Sequence, residues 1–213
     1  VDGIMVENVG GIQAALDIQP GVGLYGGMGL NVCNHLAVRA LAPPLSHITL
    51  SPELSARQIA GAVSASRILP NAPGLELVVQ GSLEVMVAED CIPALVKGGL
   101  AKGDQDHGEF WGLQDMRRIF PIRLDDESRT HIFNSAETCL LDHMPRIFDL
   151  GLEGVALDAR FRTEEYAREV TRIYKMAIDL TEAGGETLNE DLQALKEAVM
   201  PLSLGGITHG HFI

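Results

Sequence analysis

Cys139 and His143 stand four residues apart in NSAETCLLDHMPRI. On a helix that spacing puts both side chains on one face, on successive turns, close enough to share a metal ion. Thiolate sulfur and imidazole nitrogen are the ligands of structural zinc, so the pair is the first-choice metal site. The competing reading makes Cys139 a small core residue and leaves His143 at the rim. Cys91 ends GSLEVMVAEDC, shortly before the glycine-rich stretch that holds His107. Cys91 with His107 is the second choice, a weaker one because the short C-x-x-C step of a zinc ribbon is missing.

Three further residues are candidates for catalysis. Glu53 follows the apolar run HITLS, where a parallel strand would end and where barrel enzymes collect their reacting groups. It could equally be a favourable charge ahead of a helix N-terminus. Glu76 sits at the start of an otherwise apolar strand, LELVVQ, and if it points inward it needs a partner. Arg160, at the end of LDAR, is the candidate for that partner, or for gripping a carboxylate ligand in two-pronged fashion. No G-x-S-x-G, H-E-x-x-H or Walker loop occurs, nor a G-x-G-x-x-G with its following acid, so the best-known hydrolase and nucleotide motifs are not represented.

The elements that must position these groups alternate between short apolar runs and helical stretches, as parallel βα units do. Strands are expected at 3–8, 21–27, 47–51, 75–80 and 154–159. Helices are expected at 11–17, through LNVCNHLAVRAL, and after Ser55, whose Gln58 completes a capping box. Ser135 is read as the cap of a helix carrying Cys139, Leu140, Met144, Ile147 and Leu150 and stopped by Gly151. Two more helices start at Thr163 and Asn189. From Gly81 to about residue 130 the alternation breaks into glycine, acid and proline, with FPIRL and THIF as short strand candidates. Five parallel strands cannot close the usual eight-stranded barrel. The expected fold is therefore α/β, one domain over 1–213, a modified TIM-type β/α barrel lacking its first units. An extended insertion over 81–150 precedes its last strand.

The formal net charge is −13, from 29 acidic and 16 basic residues. Such a field repels a nucleic-acid backbone and an anionic membrane alike. Only four of the basic residues are lysines, an acidic, archaeal kind of composition suited to a salt-rich cytoplasm. Three cysteines are too few for a secreted disulfide framework. With no leader and no long apolar run, a cytoplasmic location is expected. The first residue is Val, as in a stretch cut from a longer chain.

Several segments together resemble peptidase family U32, the collagenase-like peptidases of unassigned mechanism. They are LNVCNH, ITLSPELSARQI, GSLEVMVAEDC, the long stretch from FPIRLDDESRTHIFNSAETC to IYKMAID, and the closing LGGITHGHF. The resemblance covers nearly the whole chain and implies the modified barrel with its long excursion. It also implies hydrolysis of peptides, with Glu53 or Glu76 as base on a water and Arg160 holding a peptide or small carboxylate at the barrel mouth. Relatives in the family are similar to oxygen-independent hydroxylation factors that act on RNA or a small aromatic and hold an iron–sulfur cluster on four cysteines. Cys91 and Cys139 match two of those positions, Glu84 stands at the first, and the third falls near His107 and Gly108. A cluster is therefore the alternative cofactor, and zinc shared across a homodimer, one Cys and one His from each chain, is the preferred one. A non-catalytic peptide-binding scaffold is the remaining alternative.

Overall fold

The protein is described by a computed structural model covering residues 3–19, 21–97 and 111–213. His107 lies outside these described residues. Eleven strands and seven helices follow one another along the described chain. The first part contains β1 (Gly3–Val6), α1 (Val9–Ile18), β2 (Gly23–Gly26), α2 (His35–Leu41), β3 (Leu45–Leu50), α3 (Ala56–Ser66) and β4 (Gly74–Gly81). Then come β5 (Glu84–Ala88), α4 (Ile92–Lys97), β6 (Trp111–Gln114), β7 (Ile119–Leu124), β8 (Thr130–Phe133) and β9 (Glu137–Cys139). The last part holds α5 (Met144–Leu150), β10 (Gly154–Asp158), α6 (Glu164–Ala183), α7 (Leu188–Val199) and β11 (Ile207–Thr208).

The architecture is mixed α/β. β1, β2, β3, β4 and β10 pair in parallel, each with the next in that order. β4 reads GLELVVQG, and its residues from Leu77 to Gly81 are buried without a break. Such an unbroken run is what a strand covered on both faces requires. Helices supply the cover. α6 buries Tyr166, Val170, Ile173, Tyr174 and Ala177, spaced three and four apart along one stripe. α7 adds Leu192 and Val199.

Between β4 and β9 the chain builds a second, antiparallel sheet in the order β5-β8-β7-β6. FPIRL and THIF lie in its β7 and β8. The chain then returns to the main sheet as β9, which runs antiparallel to the end of β4, with Cys139 opposite Gln80. β11 pairs with β9 in parallel.

The return strand corrects the expectation of a helix opened by Ser135. Gln80 and Gly81 already pair with β10 along one edge, and their other edge needs backbone partners, which Thr138 and Cys139 provide. Helical structure starts only with the 3-10 turn Leu141–His143 and α5. Cys139 and His143 therefore belong to a strand and a turn, and the one-face helical spacing that paired them does not exist.

Candidate functional site

The carboxyl ends of the parallel strands surround a cleft of about 310 Å³, lined by Glu7, Met28, Gly29, Asn31, Ser51, Pro52, Glu53, Leu83, Glu84 and Arg160. Glu7 follows β1, Met28 to Asn31 follow β2, Ser51 to Glu53 follow β3, Leu83 and Glu84 follow β4, and Arg160 follows β10. Ligands of open and closed α/β sheets bind at this end because the loops there converge from every strand. Two of the three catalytic candidates, Glu53 and Arg160, are thus brought together.

Hydrogen bonds fix two of the lining groups, Glu7 and Arg160. The Gly29 amide donates to Glu7 Oε2 at 2.6 Å. A Cβ at Gly27 would meet the Glu7 carboxylate, which would have to shift to admit it. Arg160 is clamped onto Asp158, donating from Nε to Oδ1 at 2.9 Å and from its terminal nitrogen to Oδ2 at 2.8 Å. The Asp158 bonds, with Glu7 and Glu84 adding to the negative field, raise the guanidinium's pKa above its ordinary value. Arg160 is therefore a fixed cation facing three carboxylates.

Glu84 links the cleft to the second sheet. Its carboxylate lies 2.6 Å from His131 Nδ1, while Asp125 lies 3.2 Å from Nε2. Burial alone would lower the imidazole's pKa, but these two carboxylates outweigh it and raise the value above 6.5. The imidazolium, a donor at both nitrogens, is the form this setting favours.

Glu76 stands elsewhere. It lies near the start of β4, toward the opposite end of the strand from the cleft, and accepts a hydrogen bond from the Thr49 hydroxyl at 2.5 Å. Its expected partner Arg160 is taken by Asp158. Cys91 is half-buried just ahead of α4. Cys139 is fully buried, with the Tyr174 hydroxyl 4.0 Å from its sulfur, and burial raises its thiol pKa. With no metal at hand, a thiol sealed in this way stays protonated.

His143 instead faces Asp142 and His209, and the three offer ligand atoms within 4.8 Å of one another. Sequence reading took His143 but missed Asp142, its immediate neighbour, and His209. The only signal for the latter was its place in the closing glycine–histidine segment.

A cluster on four thiolates does not fit this chain. Cys33, Cys91 and Cys139 are its only cysteines, and the last is buried in the core. No helix among the described residues is long and apolar enough to cross a membrane.

The family model described as Peptidase family U32 matches residues 1–213. Among curated proteins, tRNA hydroxylation protein P2 of Bacillus subtilis is 32% identical over 76 residues, covering 36% of this chain and 24% of its own length. tRNA hydroxylation protein P of Helicobacter pylori is 27% identical over 188 residues, covering 84% of this chain and 44% of its own. The chain thus spans less than half the length of either relative. No solved structure matches.

Proposed function

The chain belongs to peptidase family U32, and from that premise we propose that its cleft is the substrate site of a protein that takes part in the hydroxylation of RNA. The observation that carries the reading is the likeness over 84% of the chain to a tRNA hydroxylation protein. The make-up of the cleft is compatible with a nucleoside. Glu7, Glu53 and Glu84 are acceptors suited to ribose hydroxyls and base amino groups, and Arg160 is a fixed cationic donor among them. Three carboxylates and a net charge of −13 keep phosphates out of the cleft, so a single unstacked nucleoside would enter while the backbone stays at the rim. The cleft is also at the lower end of the usual volume range for small-ligand pockets, about 300–1,000 Å³.

The same proposal takes the five parallel strands as consecutive staves of a modified β/α barrel. Their spatial order follows their chain order without reversal, which supports barrel winding over a doubly wound sheet, whose order reverses at a switch point.

The test is nucleoside analysis of tRNA from cells of the native host in which the gene is replaced by Arg160→Ala or Glu53→Gln. Hydroxylated nucleoside should fall at least tenfold with Arg160→Ala and stay normal with Glu165→Ala, a change at an exposed position of α6. An unchanged level with Arg160→Ala removes this reading.

Hydrolysis of peptides is the second reading, favoured by the shared position of Glu53 and Arg160 in one cleft. There Glu53 would take a proton from water and Arg160 would hold a carboxylate or a developing negative charge. Peptide cleavage by purified protein that Glu53→Gln abolishes would put this reading in place of the first.

A further inference from the structure

We propose that Asp142, His143 and His209 form a site for one divalent transition-metal ion, zinc first among them, with the Lys196 ammonium holding two of the ligands, Asp142 and His209, when no ion is bound. The site lies outside the cleft. Asp142 and His143 come from the 3-10 turn after β9, His209 directly follows β11, and Lys196 projects from α7.

The first observation is a pair of neighbouring buried polar atoms without a partner among the described residues. Asp142 Oδ1 and His143 Nε2 are both buried and both lack a hydrogen-bond partner. They lie 4.0 Å apart, too far to bond to each other. Buried polar atoms left unmatched are costly, and in the His143 tautomer with a lone pair on Nε2 one cation satisfies both. Zinc bonds to imidazole nitrogen and carboxylate oxygen are about 2.0–2.2 Å long. One ion placed between the two atoms spans such a gap.

The second observation is independent. Lys196 Nζ lies 2.7 Å from Asp142 Oδ2 and 3.0 Å from His209 Nε2. An ammonium can only donate, so the His209 nitrogen that faces it carries a lone pair. That lone pair converges with the Asp142 carboxylate on one point, already filled by a cation. His209 Nε2 is itself 3.4 Å from Asp142 Oδ2.

Carboxylate with two imidazoles is a ligand set for zinc and other first-row ions, not for magnesium or calcium, which take oxygen. Three protein ligands leave a position open for water or a fourth ligand. The Lys196 ammonium and the Arg146 guanidinium, which packs over Phe212 beside His143, both oppose a second positive charge. Binding therefore needs Lys196 to swing aside, which its flexible four-carbon stem permits. Once bound, the ion would tie the segment after β11 to the turn after β9.

The experiment is equilibrium dialysis of metal-stripped protein against zinc, with metal counted per chain. One zinc per chain is expected, with no binding of magnesium at equal concentration. His209→Gln and His143→Gln should each weaken binding at least tenfold, and Cys139→Ser should leave it unchanged. Lys196→Met is the decisive variant, because removing the competing cation should tighten binding at least tenfold. If the cluster is only a lysine–carboxylate–imidazole network, Lys196→Met will not improve zinc binding. That result, or zinc binding untouched by both histidine changes in variants with native far-UV dichroism, overturns the proposal.

Discussion

Glu137 is fully buried and yet richly partnered. It accepts hydrogen bonds from the Tyr166 hydroxyl at 2.7 Å, Gln80 Nε2 at 3.2 Å and the Leu204 amide at 2.9 Å, and pairs with the Arg162 guanidinium. The network joins β9, β4, α6 and the C-terminal segment. Burial and the neighbouring Glu137 charge push the Tyr166 phenol above its ordinary pKa, so it remains a donor. Removing Arg162 would leave the carboxylate unpaired in the core, and Arg162→Ala should cost about 3–5 kcal/mol. Urea unfolding checks this, and Tyr166→Phe should cost less, about 1–2 kcal/mol. His131 gives a pH-dependent counterpart. Its pKa is raised above 6.5 in the fold, so its contribution to stability is complete below that value and is lost as pH rises through the folded-state value. Thermal melts of the native protein should fall across that alkaline-going window. Those of His131→Gln should fall less.

Local signals in the sequence account well for some elements. Ser55 accepts from the Gln58 amide, and the Gln58 side chain accepts from the Ser55 amide at 2.9 Å, as the capping-box pattern at the start of α3 requires. Ser55→Ala should therefore cost about 1 kcal/mol, read as a lowered melting temperature. The stripe on α6 and the left-handed Gly151 that ends α5 follow from periodicity and glycine placement in the same way. Residues 135–143 do not. Their apolar spacing fits a helix, but the segment forms β9 because the exposed edge of β4 offers backbone groups that only a strand can satisfy. A nonlocal demand of this kind overrides local propensity.

At the scale of the molecule, the net charge of −13 sets a constant self-repulsion that salt screens. The melting temperature should therefore rise as potassium chloride is increased from low to molar concentration, and a flat or falling response would count against a salt-rich setting. On the proposed reading the same charge repels an RNA backbone and leaves the nucleoside as the handle, so RNA affinity should not fall as salt is raised. Composition, the parallel βα alternation, the family likeness and the end-of-strand positions of Glu53 and Arg160 were all determined by sequence alone, because each depends on local order or on position within an element. The meeting of Glu53 and Arg160 with Glu7 and Glu84, the pairing of Arg160 with Asp158 and not Glu76, and the grouping of Asp142 and His209 with His143 were decided only by the tertiary structure. These contacts join residues far apart in the chain, and only strand register and loop convergence determine which of them come within reach of one another.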